Sequence, residues 1–194
     1  MTVSPRNFIT VVSGVPRSGT SLAMQMLHAG GMPAITDEQR VPDASNPRGY
    51  FEFEPVKQLR ADQQWLRGAA GKAVKIIHLL LTELPVDRDY RVLFMQRDLA
   101  EVVRSQAAML ERSGKTGGGL GEAQLAQTYA GQVARVKSWL RERPCFRVMN
   151  VPYAELVKEP LAMSHAISDF LGGGLDVNAM AGAVEPLLYR HRSR

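Results

Sequence analysis

Apolar residues in this chain come either in short continuous runs or in longer stretches at helical spacing, and the two kinds alternate. FITVVSGV, Phe8 to Val15, is β-branched and apolar and is ended by glycine and proline, which predicts a buried strand. SGTSLAMQMLHAGG follows, with Leu22, Met26 and Ala29 at helical spacing and glycines behind them, which predicts a helix. AVKIIH (Ala73 to His78) and RVLFMQ (Arg91 to Gln96) predict further buried strands, with LLLTELPVDRDY between them as a turn or short helix. Asp98 then stands at an N-cap position, and LAEVVRSQAAMLERSG carries Leu99, Val102, Val103, Ala107 and Leu110 on one face before Gly114 stops it. KTGGGLGE is a break, AQLAQTYAGQVARVKSWLRER a long amphipathic helix, FRVMNV (Phe146 to Val151) another strand and LAMSHAISDFLGG a further helix. Strands alternating with helices in this way predict an α/β domain whose parallel sheet is covered by helices on both faces.

One stretch does not fit the alternation. From Met32 to Tyr50, MPAITDEQRVPDASNPRGY is rich in proline and polar residues and reads as one long excursion with little regular structure, a kind of loop that often carries function. YFEFEPVKQLRADQQWLRGA then turns helical after Pro55. With 194 residues, 45% of them hydrophobic and 22% charged, the chain is expected to form a single domain over 1–194.

Composition narrows the function classes. No apolar run approaches the roughly 20 residues that span a bilayer, and the first segment lacks a basic start and a small-residue cleavage site, so no stable membrane insertion and a cytoplasmic location are expected. The lone Cys145 has no partner for a disulfide and no cluster of ligands for a structural zinc, so no metal is expected. The net charge of +5 suits a polyanionic ligand. It would also suit nucleic acid, but aromatic and basic residues do not interleave and no zinc-finger spacing occurs, so nucleic acid is not expected as a partner.

The candidate chemistry begins at VSGVPRSGTS, residues 12–21. Gly14, Gly19 and the hydroxyls of Thr20 and Ser21 fall where a nucleotide-binding G-x-x-x-x-G-K-[ST] loop puts its glycines and its hydroxyl, between a predicted strand and a predicted helix. Thr20 stands where the lysine belongs, and Arg17 lies three residues earlier. The glycines and helix N-terminus still make a seat for an anion, but Thr20 cannot neutralise the β and γ phosphates of ATP. The fold expected is therefore three-layered and of P-loop type.

Pro16, Arg17, Ser18, Gly19, Thr20 and Ser21 match, without a gap, the P-[KR]-S-G-T-[ST] loop of the PAPS-dependent sulfotransferases (PAPS is 3′-phosphoadenosine 5′-phosphosulfate). The run GVPRSGTSLAMQML is similar to that of the protein tyrosine sulfotransferases and of bacterial proteins of this family. A second segment also resembles the family: Arg97 and Asp98 at a strand end, with Ser105 eight residues after the arginine. VPYAELVKEP resembles a third, looser family stretch. The resemblance implies transfer of a sulfuryl group from PAPS, leaving PAP, to a hydroxyl or amine of a small-molecule or peptide acceptor. It implies that Ser18, Gly19, Thr20 and Ser21 hold the 5′-phosphate, that Arg17 both binds there and supplies the catalytic cation, and that Arg97 and Ser105 grip the 3′-phosphate.

The base that takes the acceptor's proton has several candidates. Glu38 in TDEQRVP, with Arg40 two places on, is similar to a glutamate stretch of the tyrosine sulfotransferases; Glu52 and Glu54 stand in GYFEFEP. His78 is the remaining candidate, since cytosolic members carry K-[ST]-H-L-P, where Lys75 matches and His78 sits one residue late. The family's C-terminal R-K-G-x-x-G-D-W-K-N segment has no match; Arg190, Arg192 and Arg194 are the cations available in its place. The chain is short for the family, which implies an acceptor pocket that is open or is completed by a second copy in a homodimer. The rival readings are a P-loop kinase or NTPase and a non-catalytic nucleotide-binding module.

Overall fold

The structure is a computed structural model, and it describes residues 6–37, 49–112, 114, 119 and 121–184. The apolar runs become β1 (Ile9–Ser13), β3 (Ala73–Lys75), β4 (Tyr90–Gln96) and β5 (Phe146–Pro152), and a two-residue strand β2 (Ala34–Ile35) joins them. They form one sheet in the order β2-β3-β1-β4-β5, with every neighbouring pair parallel.

Side-chain alternation along the strands feeds two cores, because successive residues of a strand point to opposite faces. Val12 and Leu93 go to one face, with Met24 and Leu27 of α1 (Thr20–Ala29), Leu156 of α4 (Tyr153–Lys158), Ile167 of α5 (Pro160–Phe170) and Met180 of α6 (Val177–Gly182). Val11, Val92 and Phe94 go to the other, with Leu66, Leu81 and, from α3 (Glu122–Arg141), Val136 and Leu140. The expected three-layer α/β architecture is the one observed.

Local chemistry explains the differences from the sequence reading. β2 lies inside the stretch expected to be irregular; it is too short to show a period, and only its register with β3, Ala34 on Ala73 and Ile35 on Val74, makes it a strand. The segment after Pro55 forms two 3₁₀ helices, Glu54–Gln58 and Gln64–Gly68, in place of one longer helix. β3 stops at Lys75, three residues short of its apolar run. α4 and α5 are separate because Pro160, lacking an N–H, begins a new helix. α6 is capped by Asp176, whose side chain accepts from the Ala179 N–H at 2.9 Å.

The topology decides where the chemistry sits. After β1 the chain builds β2 and β3 on one side of it, then crosses to build β4 and β5 on the other. In a parallel sheet the loops on either side of such a reversal part, leaving a crevice at the carboxyl ends of the strands. Here that switch point lies between the loop leaving β1 and the loop leaving β4. No helix among the described residues is long and apolar enough to cross a membrane.

Candidate active site

The loop from Gly14 to Gly19 joins the carboxyl end of β1 to α1. A Cβ on Gly14 would lie 2.4 Å from Ser18 Oγ and 2.9 Å from the Met95 carbonyl oxygen, so only glycine lets the loop fold this closely over β4. Ser18 N–H closes a turn on Val15 O at 3.2 Å. Arg17 holds φ at 70°, a left-handed conformation that costs an L-residue about 1 kcal/mol or more and that gathers at functional sites. Gly19, at φ 101°, is the N-cap of α1, and no side chain caps this end and no acidic residue lies in its first turn. The first N–H groups of a helix have no partner within it, so this terminus presents donors and partial positive charge. Ser18 Oγ, wholly buried beside it, has no hydrogen-bond partner.

Strand register brings the second segment onto this loop. β1 and β4 pair Ser13 with Phe94, and β4 and β5 pair Gln96 with Pro152, so the next residues, Arg97 and Tyr153, emerge side by side. The Arg97 guanidinium carbon stands 4.8 Å from the centre of the Tyr153 ring. Its Nη1 donates to the Arg17 carbonyl oxygen at 3.3 Å, and its Nε donates to Glu101 Oε2 at 3.0 Å. Both side chains of this ion pair are buried, 8% and 3% exposed. Glu101 stands in the first turn of α2 (Leu99–Arg112), where its N–H donates to Asp98 Oδ1 at 3.0 Å, the cap expected from the sequence. Ser105, further along α2, accepts from Arg17 Nε at 3.2 Å. Arg17, Arg97, Glu101 and Ser105 are thus one connected network around a glycine turn.

Beyond β3 a different arrangement meets the same edge. Residues 49–54 cross the carboxyl ends of β2 and β3 and are tied down along their length. Gln25 donates to Gly49 O at 3.3 Å, Thr36 Oγ1 to Glu52 O at 3.0 Å and Asp37 N–H to the same carbonyl at 3.2 Å. Phe51 holds the left-handed φ of 51°. The result presents the Glu52 carboxylate, 35% exposed, to Lys75 Nζ at 3.5 Å, while Lys75 also donates to Tyr50 O.

With this geometry established, likeness to known proteins can be measured. No family model matches the sequence, and no curated protein sequence does. Solved structures match across nearly the whole chain. The sulfotransferase domain of the Synechococcus PCC 7002 olefin synthase superposes with a TM-score of 0.60 at 15% identity, over 98% of this chain and 90% of that one. The sulfotransferase STF1 of Mycobacterium tuberculosis H37Rv superposes with a TM-score of 0.58 at 17% identity, over 94% of this chain and 71% of that one. This chain has the sulfotransferase fold. A retinol dehydratase solved with retinol and PAP shares it at a TM-score of 0.50 and 15% identity, over 97% of this chain and 71% of that one.

On this fold the structure gathers most of the residues singled out in the sequence. Arg17, Ser18, Gly19, Thr20, Ser21, Arg97 and Ser105 all lie at the switch point between β1 and β4. Glu52 lies at the neighbouring strand end, whereas Glu54 turns to Lys57, 2.7 Å away on its own 3₁₀ helix. Glu38, Arg40, Arg190, Arg192 and Arg194 lie outside the described residues. His78 is 1% exposed: its Nε2 faces Gln132 Oε1 of α3 at 2.9 Å, its ring meets the edge of Tyr129, and Nδ1 has no partner. The imidazole is packed behind the loop, so an acceptor reaching it would have to displace the Gln132 amide. Among the described residues no group of three or more histidine, cysteine or acidic side chains could hold a metal.

Two residues of the site were missed in the sequence. Glu101 is four residues after Arg97, but Arg97 precedes the helix, so helical spacing did not mark the pair. Tyr153 belongs to VPYAELVKEP, and its ring fills the space where Gly19 has no side chain. Burial raises the Tyr153 phenol pKa, with Arg97 and Arg17 opposing.

Two outcomes follow from this packing. A Cβ on Gly19 would lie 2.4 Å from Tyr153 Cδ2 at a φ that L-residues avoid. Gly19→Ala is expected to cost about 2 kcal/mol or more in urea unfolding and to displace Tyr153, read as altered tyrosine fluorescence. His78 has its pKa lowered from 6.5, chiefly by burial. The unfolded chain therefore binds this proton more readily, and the contribution is complete above the unfolded pKa and is lost as pH falls through the lowered folded value. Stability measured against pH is expected to decline below about pH 6.5, with that part of the slope absent in His78→Gln.

Proposed function

We propose that this chain is a PAPS-dependent sulfotransferase acting on a hydroxyl or amine acceptor. The observation that carries this reading is the convergence of Arg17, Arg97 and Ser105 on one glycine turn at the head of α1. Fold likeness alone would not carry it, since one fold hosts many chemistries. The residues present suit the nucleotide. The orphaned Ser18 hydroxyl and the uncapped start of α1 fit a 5′-phosphate, and Thr20 in the lysine position does not fit the polyphosphate of ATP.

When bound, PAPS supplies a sulfuryl group on its 5′-phosphate and a 3′-phosphate that ATP lacks. Ser18, Gly19, Thr20 and Ser21 would hold the 5′ end through hydroxyls and backbone N–H groups, and Arg97 and Ser105 would hold the 3′-phosphate. Arg17, permanently charged, would supply the cation for the negative charge on the departing phosphate oxygen. Tyr153 packs under the Arg97 guanidinium and keeps it from folding away, and Glu101 orients it through Nε. Glu52 is the base favoured by the geometry, because it is half-buried, fixed by its backbone and placed on the strand end next to the loop. The retinol dehydratase bound to retinol and PAP is consistent with a small alcohol as acceptor.

Thermal shift separates this reading from a kinase or NTPase. PAP at one hundred times its dissociation constant is expected to stabilise the protein by about 2.7 kcal/mol, and ATP with magnesium far less. Stabilisation by ATP with magnesium and not by PAP would overturn the proposal. Arg17→Ala is expected to lower kcat far more than PAP affinity, and Glu52→Gln to lower kcat about 100-fold or more with PAP affinity unchanged. PAP binding without transfer of radiolabelled sulfate to any acceptor would leave a binding module in place of an enzyme.

A further inference from the structure

The carboxyl edge of the sheet is divided into two chemically unlike halves. Over β1 and β4 it is polar and cationic, lined by Arg17, Arg97 and Ser105. Over β3 it carries exposed apolar side chains beside the Lys75–Glu52 pair. Among the described residues only four large apolar side chains are substantially exposed, Ile77 at 39%, Leu79 at 47%, Val86 and Leu161, and two of these flank His78 just beyond β3. Scattered exposed apolar residues need no explanation, but two beside a candidate site do.

Backbone geometry says where Ile77 stands. Residues Lys75 to Ile77 continue extended past the end of β3, with Ile77 at φ −62° and ψ 144°. Alternation sends Ile76 into the core with Leu81 and puts Ile77 on the face of Lys75, the partner of Glu52. His78 N–H donates to Gly14 O at 3.3 Å, which ties this turn to the root of the anion-binding loop. Ile77 therefore lies between that loop and the Lys75–Glu52 pair, and Leu79, also exposed, stands two residues on in the first turn of the 3₁₀ helix His78–Glu83. Lys75 is the cation of β3 and this helix, and Glu52 and the Tyr50 carbonyl already engage it.

Resting on the sulfotransferase reading, we propose that the acceptor is a neutral, apolar alcohol or phenol that lays its hydrocarbon body on Ile77 and Leu79 and presents its hydroxyl to Glu52. An uncharged, apolar wall favours hydrocarbon by area removed from water and offers a sugar or an acidic peptide no compensation for the water they would lose. The step balances without a further reactant. The acceptor O–H proton passes to the Glu52 carboxylate, the acceptor oxygen bonds to sulfur, and the sulfur–oxygen bond to the 5′-phosphate breaks with its electron pair on PAP. The products are a sulfate ester, PAP and one proton.

The test offers radiolabelled PAPS with two acceptor sets at equal concentration, naphthol and dodecanol against N-acetylglucosamine and an acidic tyrosine peptide, with PAP affinity measured by calorimetry on every variant. Naphthol and dodecanol are expected to be sulfated in preference. Ile77→Asp and Leu79→Asp are each expected to lower kcat/KM for naphthol about tenfold or more with PAP affinity within twofold of the parent, and Leu161→Asp to leave it unchanged. If PAP binds but sulfate passes only to the sugar or the peptide, or to neither set, the acceptor assignment is wrong while nucleotide binding stands. It is equally wrong if both aspartate variants keep naphthol turnover within twofold. Failure of PAP to bind the parent chain overturns the sulfotransferase reading itself.

Discussion

Two guanidinium groups meet at one turn of backbone, and a buried carboxylate holds one of them in place. Arg97 donates to the carbonyl of Arg17 through one nitrogen and to Glu101 through another, while Arg17 reaches back to Ser105. A buried ion pair adds little to stability on balance, because desolvating both partners offsets their attraction. Its consequence here is geometric. The contact pins the left-handed Arg17, and the left-handed Arg17 in turn sets how the loop enters α1 at Gly19. Loosening Arg97 would loosen the whole turn.

That meeting depends on strand register more than on any single side chain. Parallel pairing of Ser13 with Phe94 and of Gln96 with Pro152 brings the ends of three strands level. The reversal of strand order at β1 then leaves space above them. A slip of one residue in β4 would send Arg97 to the opposite face of the sheet and part it from both Arg17 and Tyr153. The tight contacts at Gly14 and Gly19 belong to the same constraint, since the loop can lie this close to Met95 and Tyr153 only where it lacks side chains.

The site is also asymmetric, and the asymmetry has chemical meaning. Charge and hydroxyls gather over β1 and β4, and over β3 the exposed Ile77 and Leu79 stand near the Lys75–Glu52 pair. Under the proposed reading, a charged donor and an apolar acceptor would find these environments side by side. The left-handed Phe51, packed against the core and the His28 ring, and the tethered 49–54 segment place a carboxylate beside Lys75.

Much of this could be read from the linear chain because its causes are local. β-branched runs, helical spacing, the Asp98 cap and the glycines around Arg17 follow from short-range sterics and hydrogen bonding, and they sufficed for the α/β class; Arg17, Arg97 and Ser105 were singled out by the resemblance of their two segments to the sulfotransferases, and the sheet brings the three together. The tertiary structure decided what depends on distant partners. It made a strand of Ala34 and Ile35 by pairing them with β3, turned His78 inward against Gln132, joined Glu101 to Arg97 and set Tyr153 against Gly19. Local sequence specifies which backbone conformations are cheap, but whether a carboxylate or an imidazole faces a ligand depends on which other segments pack over it, and that is settled only when the sheet closes its register.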